Sequence, residues 1–295
     1  MGGCRVVSDA TPAAGDGTAA SRARATGGAD SPGRGTRGTG GYWTLFVAMV
    51  KHRVAHLRRY PVNTLSGLAN AMILFAVIFF GGRALDSRAL ADSLEGIIVG
   101  FFLFSIATTA FAASAWGVTR ESQWGTLEQL YMSPLGFGPA MLTRTVVRLI
   151  ESFVWGAGTL AFMLLLTGET LAFPVVTLLV VGVLAVAPAL GMGFGFAALA
   201  LLYKRVENIF QVVNFAFVGL ISAPVSGVVW ARLLPVSQGS YVLGLVMRDG
   251  RRLWELPPTE LGLLVATAIG YFVAGYAVFM WASRRAREQG LMGHY

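Results

Sequence analysis

Arg120-Glu121-Ser122-Gln123-Trp124-Gly125-Thr126-Leu127-Glu128-Gln129-Leu130-Tyr131-Met132-Ser133-Pro134 is a polar island between two long apolar runs, Gly96 to Val118 and Thr145 to Thr167. Trp124, Leu127 and Tyr131 fall at i, i+3 and i+7, which puts them on one face of a helix. Glu121, Glu128 and Gln129 lie off that face. Thr126 and Gln129 have capping-box spacing, and Ser133-Pro134 is a stop signal. The pattern predicts a short amphipathic helix between two membrane spans. A mere connector would need only a few polar residues.

Working outward, the composition agrees. The chain has 295 residues, 55% hydrophobic and 13% charged, with a mean hydropathy of +0.63. That exceeds the apolar share of soluble domains. The +8 charge comes almost wholly from arginine, since Lys51 and Lys204 are the two lysines. Cytoplasmic flanks and anionic lipid account for such a charge without nucleic acid. The single cysteine, Cys4, permits no disulfide within one chain.

Residues 1–41 are rich in Gly, Ala, Ser, Thr and Arg and lack an apolar period. They predict a disordered cytoplasmic tail and carry no signal-peptide apolar region. From Tyr42 to Tyr60, Trp43, Phe46, Val47, Val50, Val54 and Leu57 make an apolar stripe. Lys51, His52, Arg53, His56, Arg58 and Arg59 fall mostly off it. This is the signature of a helix lying in the membrane interface, ended by Pro61, which can open the next helix.

Six spans follow, at about 62–82, 95–118, 141–167, 172–202, 207–230 and 259–282, each near the roughly 20 residues a bilayer requires. Only Gly168-Glu169-Thr170-Leu171 joins the third to the fourth. With the N-terminus inside, the inner flanks hold Lys51, Arg53, Arg58, Arg59, Arg120, Arg144, Arg148, Lys204, Arg205, Arg284, Arg285 and Arg287. The outer side holds Arg83, Arg88, Arg232, Arg248, Arg251 and Arg252. The positive-inside rule then places both termini in the cytoplasm. The longest outer connection, 231–258, contains an apolar stretch from Gln238 to Met247 that predicts a short helix dipping into the outer leaflet.

The absences narrow the function. Val50 precedes Lys51 and Tyr203 precedes Lys204, so neither lysine sits in a phosphate-binding loop. His52, His56 and His294 all lie outside the predicted spans, which disfavours an intramembrane hydrolase and predicts no catalytic, metal or cofactor site in this chain. Gly191-x-Gly193-x-Gly195 sits in an apolar run after Pro188. Gly191 and Gly195 there predict a small-residue face for close helix packing, with Pro188 kinking the span. Arg144, Arg148 and Glu151 recur at i, i+4 and i+7 near the inner end of the third span. Arg148 can reach Glu151 at i, i+3, either as a charged latch near a cytoplasmic gate or as an interfacial pair. Glu207, Gln211 and Asn214, with Asn208 beside them, share a face at the inner end of the fifth span. They border a substrate path or glue a dimer interface.

Glu121, Gly125, Thr126, Leu127, Glu128, Gln129, Leu130, Ser133 and Pro134 together resemble the cytoplasmic loop of permease subunits of ABC-2 type transporters. Ser122-Gln123 departs from the charged residue often found there. Architecture extends the resemblance over 42–287, leaving 1–41 and 288–295 as cytoplasmic tails. The resemblance implies an all-α integral membrane protein of six transmembrane helices, with an N-terminal interfacial elbow helix, a cytoplasmic coupling helix and an outer re-entrant segment. It further implies a homodimer joined by two copies of a separate ABC ATPase, which would bind ATP and magnesium. Glu121, Trp124, Gly125, Thr126, Leu127, Glu128, Gln129 and Tyr131 would dock on that ATPase. Arg148, Glu151, Glu207, Gln211 and Asn214 would border the gate or pathway. The implied role is ATP-driven export across a prokaryotic plasma membrane of a hydrophobic or amphipathic cargo, a drug-like metabolite or a lipid. Polysaccharide exporters share this architecture. The alternatives are an ATP-independent secondary transporter, which would be expected to place coupling charges near the membrane midplane, or a scaffold that transports nothing.

Overall fold

The structure, a computed structural model, describes residues 41–85, 87–123, 137–203, 207–222 and 229–288. Among these residues the fold is all-helical: α1 (Tyr42–Arg59), α2 (Pro61–Leu85), α3 (Ser87–Gln123), α4 (Phe137–Thr167), α5 (Val175–Leu202), α6 (Glu207–Ile221), α7 (Ser237–Met247) and α8 (Pro258–Glu288). Short 3-10 helices at Val229–Leu233 and Leu253–Glu255 flank α7. Five helices, α2, α3, α4, α5 and α8, are long and apolar enough to cross a membrane. The chain is in this sense a multi-pass membrane protein.

The hub is α5, the most apolar of the five at a mean hydropathy of 2.5. A helix apolar on every side belongs inside a bundle, and α5 packs chiefly along α8 and α3. Lipid is as apolar as leucine, so helix association inside a membrane relies on close approach rather than on the hydrophobic effect. Gly191 supplies that approach. A Cβ there would collide with the Tyr271 carbonyl, and one at Gly275 with the Gly191 carbonyl. Gly193 does the same toward α3, where a Cβ would come within 2.9 Å of the Phe111 carbonyl oxygen. Gly195, expected to share the Gly191 face, has nothing within 4 Å of a Cβ position. The small-residue contact therefore splits between two partners at i and i+2. Pro188 is buried within α5, which runs through it as helix.

The aromatic side chains fill the α3–α5–α6 junction. Phe111 meets Phe196, Phe210 and Phe217 edge-on at 5.4, 5.8 and 5.5 Å, and Trp116 stacks on Phe210 at 4.3 Å. Each such pair contributes about 0.5–1.5 kcal/mol beyond area burial. By contrast α2 turns Ile73, Val77 and Phe80 outward, as a lipid-facing helix would.

Three boundaries differ from expectation. First, α3 runs past Val118 through Gln123, so Arg120–Gln123 are helical and continuous with it; the rest of the expected helix, 124–131, lies outside the described residues. Second, the joint after α4 is longer than expected: α4 ends at Thr167 as expected, before a left-handed Gly168 (φ 75°) whose N–H donates to Leu164 O at 2.9 Å, a glycine stop. Pro174 then fixes the chain before α5, so the joint extends from Gly168 to Pro174. Third, the expected span 207–230 is a 15-residue helix, α6. At about 1.5 Å per residue it reaches about 22 Å, less than the ~30 Å hydrocarbon core. Ser222 is in a turn, and residues 223–228 lie outside the described residues. The carbonyls of Leu220 and Ile221 accept from Ser237 Oγ at 2.6 Å and Ser240 Oγ at 2.9 Å of α7.

The helix expected between Gln238 and Met247 is α7. It is largely buried against α5, α3 and α8. Its last carbonyl, Met247 O, accepts from Ala172 N at 3.0 Å, and Leu253 N donates to Thr177 Oγ1 at 3.2 Å. These contacts tie α7 and its exit to the α4–α5 joint.

Candidate functional site

One carboxylate organises the end of the bundle where α1 meets α4. Glu151 projects from α4 with its side chain 11% exposed. Arg53 of α1 donates to both its oxygens, Nε to Oε2 at 2.6 Å and Nη2 to Oε1 at 2.5 Å. This two-pronged fit is the strong form of an arginine–carboxylate pair. Trp155 Nε1 donates to Oε1 and Arg148 Nη1 to Oε2, each at 3.3 Å. Arg144, one turn before Arg148, lies against α3, where a Cβ on Gly117 would sit 3.8 Å from its Cζ.

The pairing of Arg148 with Glu151 was expected from spacing; the dominant partner, Arg53, was not. The two residues are 98 positions apart, and helical spacing reveals only neighbours three or four apart. The signal that existed was placement. Arg53 sits mid-helix in α1, and Glu151 is the acid of a span whose other charges are Arg144 and Arg148. His56, one turn on, approaches Arg53 Nη1 through Nδ1 at 3.3 Å. Its pKa is lowered by partial burial first, then by the charges of Arg53, Arg148 and His52.

The polar face of α6 is a different place. Gln211 is exposed, Asn214 is half-buried, and Glu207 opens the helix. Val212, Phe215 and Val218 beside them are 66%, 76% and 51% exposed, so this face is apolar with an amide set into it. No ion pair joins it to Glu151 among the described residues. The gate residues expected together thus divide into an α1–α4 clamp and an outward α6 face. Of the expected coupling residues, Glu121 lies in the last turn of α3. Trp124, Gly125, Thr126, Leu127, Glu128, Gln129 and Tyr131 lie outside the described residues, as do the two tails at 1–40 and 289–295.

Sequence reasoning also missed a second polar cluster at the other end of the bundle. Glu260, in the first turn of α8, accepts from Arg232 Nη1 at 2.8 Å and from Gln238 Nε2 at 2.7 Å. Charged residues scattered over a 231–258 loop give no spacing from which to read such a cluster. Among the described residues no three of His, Cys, Asp and Glu gather as metal ligands.

Compared with known proteins, the chain matches no family model, no curated protein and no solved structure.

Proposed function

We propose that this chain is the membrane subunit of an ATP-driven exporter of the ABC-2 type, moving a hydrophobic or amphipathic substrate. The observation that carries the reading is the course of α3 and α4 around the stretch 124–136. At about 1.5 Å per residue, α3 (37 residues) is about 55 Å long and α4 (31 residues) about 46 Å. Both exceed the ~30 Å core, and the polar residues Arg120–Gln123 continue α3 as helix. A force applied to the stretch between them would act on rigid levers that enter the membrane. That is what a coupling segment docked on an ATPase requires.

In this reading Trp124, Leu127 and Tyr131 are the buried anchors on the ATPase, since aromatics concentrate binding energy at interfaces. Glu121 and Glu128 pair with its basic rim, and Gly125, Thr126 and Gln129 complete the helix. ATP binding in the partner supplies the difference in affinity between two states that any such switch needs. The Arg53–Glu151 clamp supports the same reading, because it makes α1 an elbow that moves with α4. The exposed α6 face, with Gln211 and Asn214 set among Val212, Phe215 and Val218, is the surface for a second copy of the chain. α6 and the capping α7 together act as the sixth membrane element. Both termini face the cytoplasm of a prokaryotic cell.

The test is ATP-driven movement of a hydrophobic dye in inverted membrane vesicles. The vesicles carry the chain with the ATPase encoded nearest to it. Transport should require both proteins and should stop when the ATPase loses its phosphate-binding lysine. Dye movement that ignores the ATPase and follows an ion gradient would instead identify a secondary transporter.

A further inference from the structure

Helices α4 and α5 follow one another through the short joint 168–174, yet each packs along α3 rather than along the other. Between them lies an open slot of about 320 Å³. Phe102 of α3 backs it, Ala157 and Ala161 of α4 and Leu179 of α5 form its walls, and Phe173 of the joint stands at its mouth. Phe153 closes the far end, where a Cβ on Gly182 would come within 2.8 Å of its ring. Along α4 the slot runs from Phe153 to Leu164, about 16 Å at 1.5 Å per residue.

The walls select what fills the slot. Every lining residue is apolar, so a polar cargo would find no partner there, whereas a hydrocarbon chain needs none. A helix is about 10–12 Å across with its side chains, too broad for this volume. Membrane helices also meet over small residues that let their backbones approach, and here Phe153, Phe173 and Leu179 stand in the way. Ala157, Ala161, Phe173 and Leu179 are exposed, so the slot opens sideways to lipid.

The rim beside the mouth carries both charges. Glu95 lies seven residues before Phe102, on the same face of α3 and about 10 Å nearer its start. Its carboxylate meets Arg248 Nε at 3.3 Å, with both side chains about half exposed. Arg251 follows the turn where Gly250 approaches the joint, a Cβ there lying 3.3 Å from Ala172 Cβ. Arg251 Nε meets the Asp249 carboxylate, also at 3.3 Å. An arginine has five N–H donors and a carboxylate about four lone-pair sites, so these long contacts leave both able to bind further. Cations interleaved with acids complement a headgroup that holds a phosphate and an ammonium together. A purely anionic headgroup would meet the acids.

We propose that the α4–α5 slot holds one acyl chain of a phosphatidylethanolamine, whose phosphate lies on Arg248 and Arg251 and whose ammonium donates to Glu95 and Asp249. The site needs only the multi-pass fold and stands or falls apart from the exporter reading.

The test is native mass spectrometry of the full chain, delipidated in mild detergent and titrated with phosphatidylethanolamine or with phosphatidylcholine of the same acyl chains. The parent should bind one phosphatidylethanolamine about ten-fold tighter than phosphatidylcholine, whose quaternary ammonium cannot donate a hydrogen bond. Ala161→Phe, which fills the slot, should weaken both lipids about ten-fold, the effect of losing roughly two buried methylenes. Ala157→Phe repeats the filling if Ala161→Phe fails to fold. Val77→Phe, on the lipid-facing side of α2, should change neither. Glu95→Gln should bring the two lipids to within about three-fold of each other, and Arg248→Gln should weaken both alike by about ten-fold. A slot-filled variant that binds lipid as the parent does would overturn the proposal, as would a parent that does not distinguish the two lipids. Displacement by phosphoethanolamine alone, at the lipid's concentration, would reduce the site to its headgroup and overturn the slot. A slot-filled variant that loses dimer and keeps its lipid would give the slot to a second copy of the chain.

Discussion

Glu151 takes hydrogen bonds from four nitrogens, two of them from a residue in another helix. Removing one partner of a buried ion pair leaves the other charge uncompensated, a larger loss than the pair's net worth. Arg53→Leu should therefore destabilise the protein by about 2–3 kcal/mol. Arg148→Leu, whose contact with Glu151 is the longer one at 3.3 Å, should cost less than Arg53→Leu. Arg53→Leu with Glu151→Leu should recover much of the loss. Thermal unfolding in mild detergent reads all three, and an Arg148→Leu as harmful as Arg53→Leu would remove the clamp. His56 adds a pH dependence. Its pKa is lowered in the folded protein, so folding favours the neutral ring. That stability is present above the unfolded value of about 6.5 and is lost as pH falls from there through the lower folded value. The melting temperature should drop between about pH 7 and pH 5, and His56→Gln should flatten the drop. Helical spacing could propose Arg148 for Glu151, but no local pattern relates two residues 98 positions apart.

Among the elements, those bounded by proline or glycine were the legible ones. Pro61 opens α2 and Gly168 ends α4 as expected, whereas Pro174 delays α5 to Val175, three residues past the expected start. The 3.6-residue stripe predicted α1, and the apolar run predicted α7. Of the expected span 207–230, the helix α6 accounts for Glu207–Ile221, and 223–228 lie outside the described residues. The carbonyls of the last turn of α6 accept from serines of α7. The glycines of α5 were legible as packing residues but not by partner, since sequence cannot say which neighbour lies on which side. Gly191→Val should therefore abolish folding or cost about 3 kcal/mol or more, because backbone on α8 cannot yield as a side chain can. Gly195→Val should be tolerated within about 1 kcal/mol, where a Cβ meets nothing. Equal expression and melting temperature for the two variants would contradict the α5–α8 contact.

For the whole molecule, the aromatic and charged residues define two rims. Trp43, Tyr60, Tyr203 and Trp281 are exposed toward one end, and Trp230 and Trp254 toward the other. Arg59 covers the Tyr60 ring, Arg285 the Trp281 ring and Arg252 the Trp254 ring. Aromatic belts of this kind mark the two membrane–water boundaries. Three arginines that weaken the charge asymmetry at the second rim have acids beside them: Arg232 with Glu260, Arg248 with Glu95, and Arg251 with Asp249. That rim should face outward. A tag inserted at Gly250 should be reachable from outside intact cells and one after Glu288 should not; the reverse labelling would invert the topology.

The central claim, that the 121–131 stretch couples these spans to an ATPase, is tested most directly by co-purification. The chain is expressed with the ATPase encoded nearest to it and captured in mild detergent, beside Glu128→Arg. A stable complex with the parent, lost in Glu128→Arg while the spans stay folded, is the predicted result. A well-folded Glu128→Arg that retains the ATPase, or a parent that captures none, would contradict it.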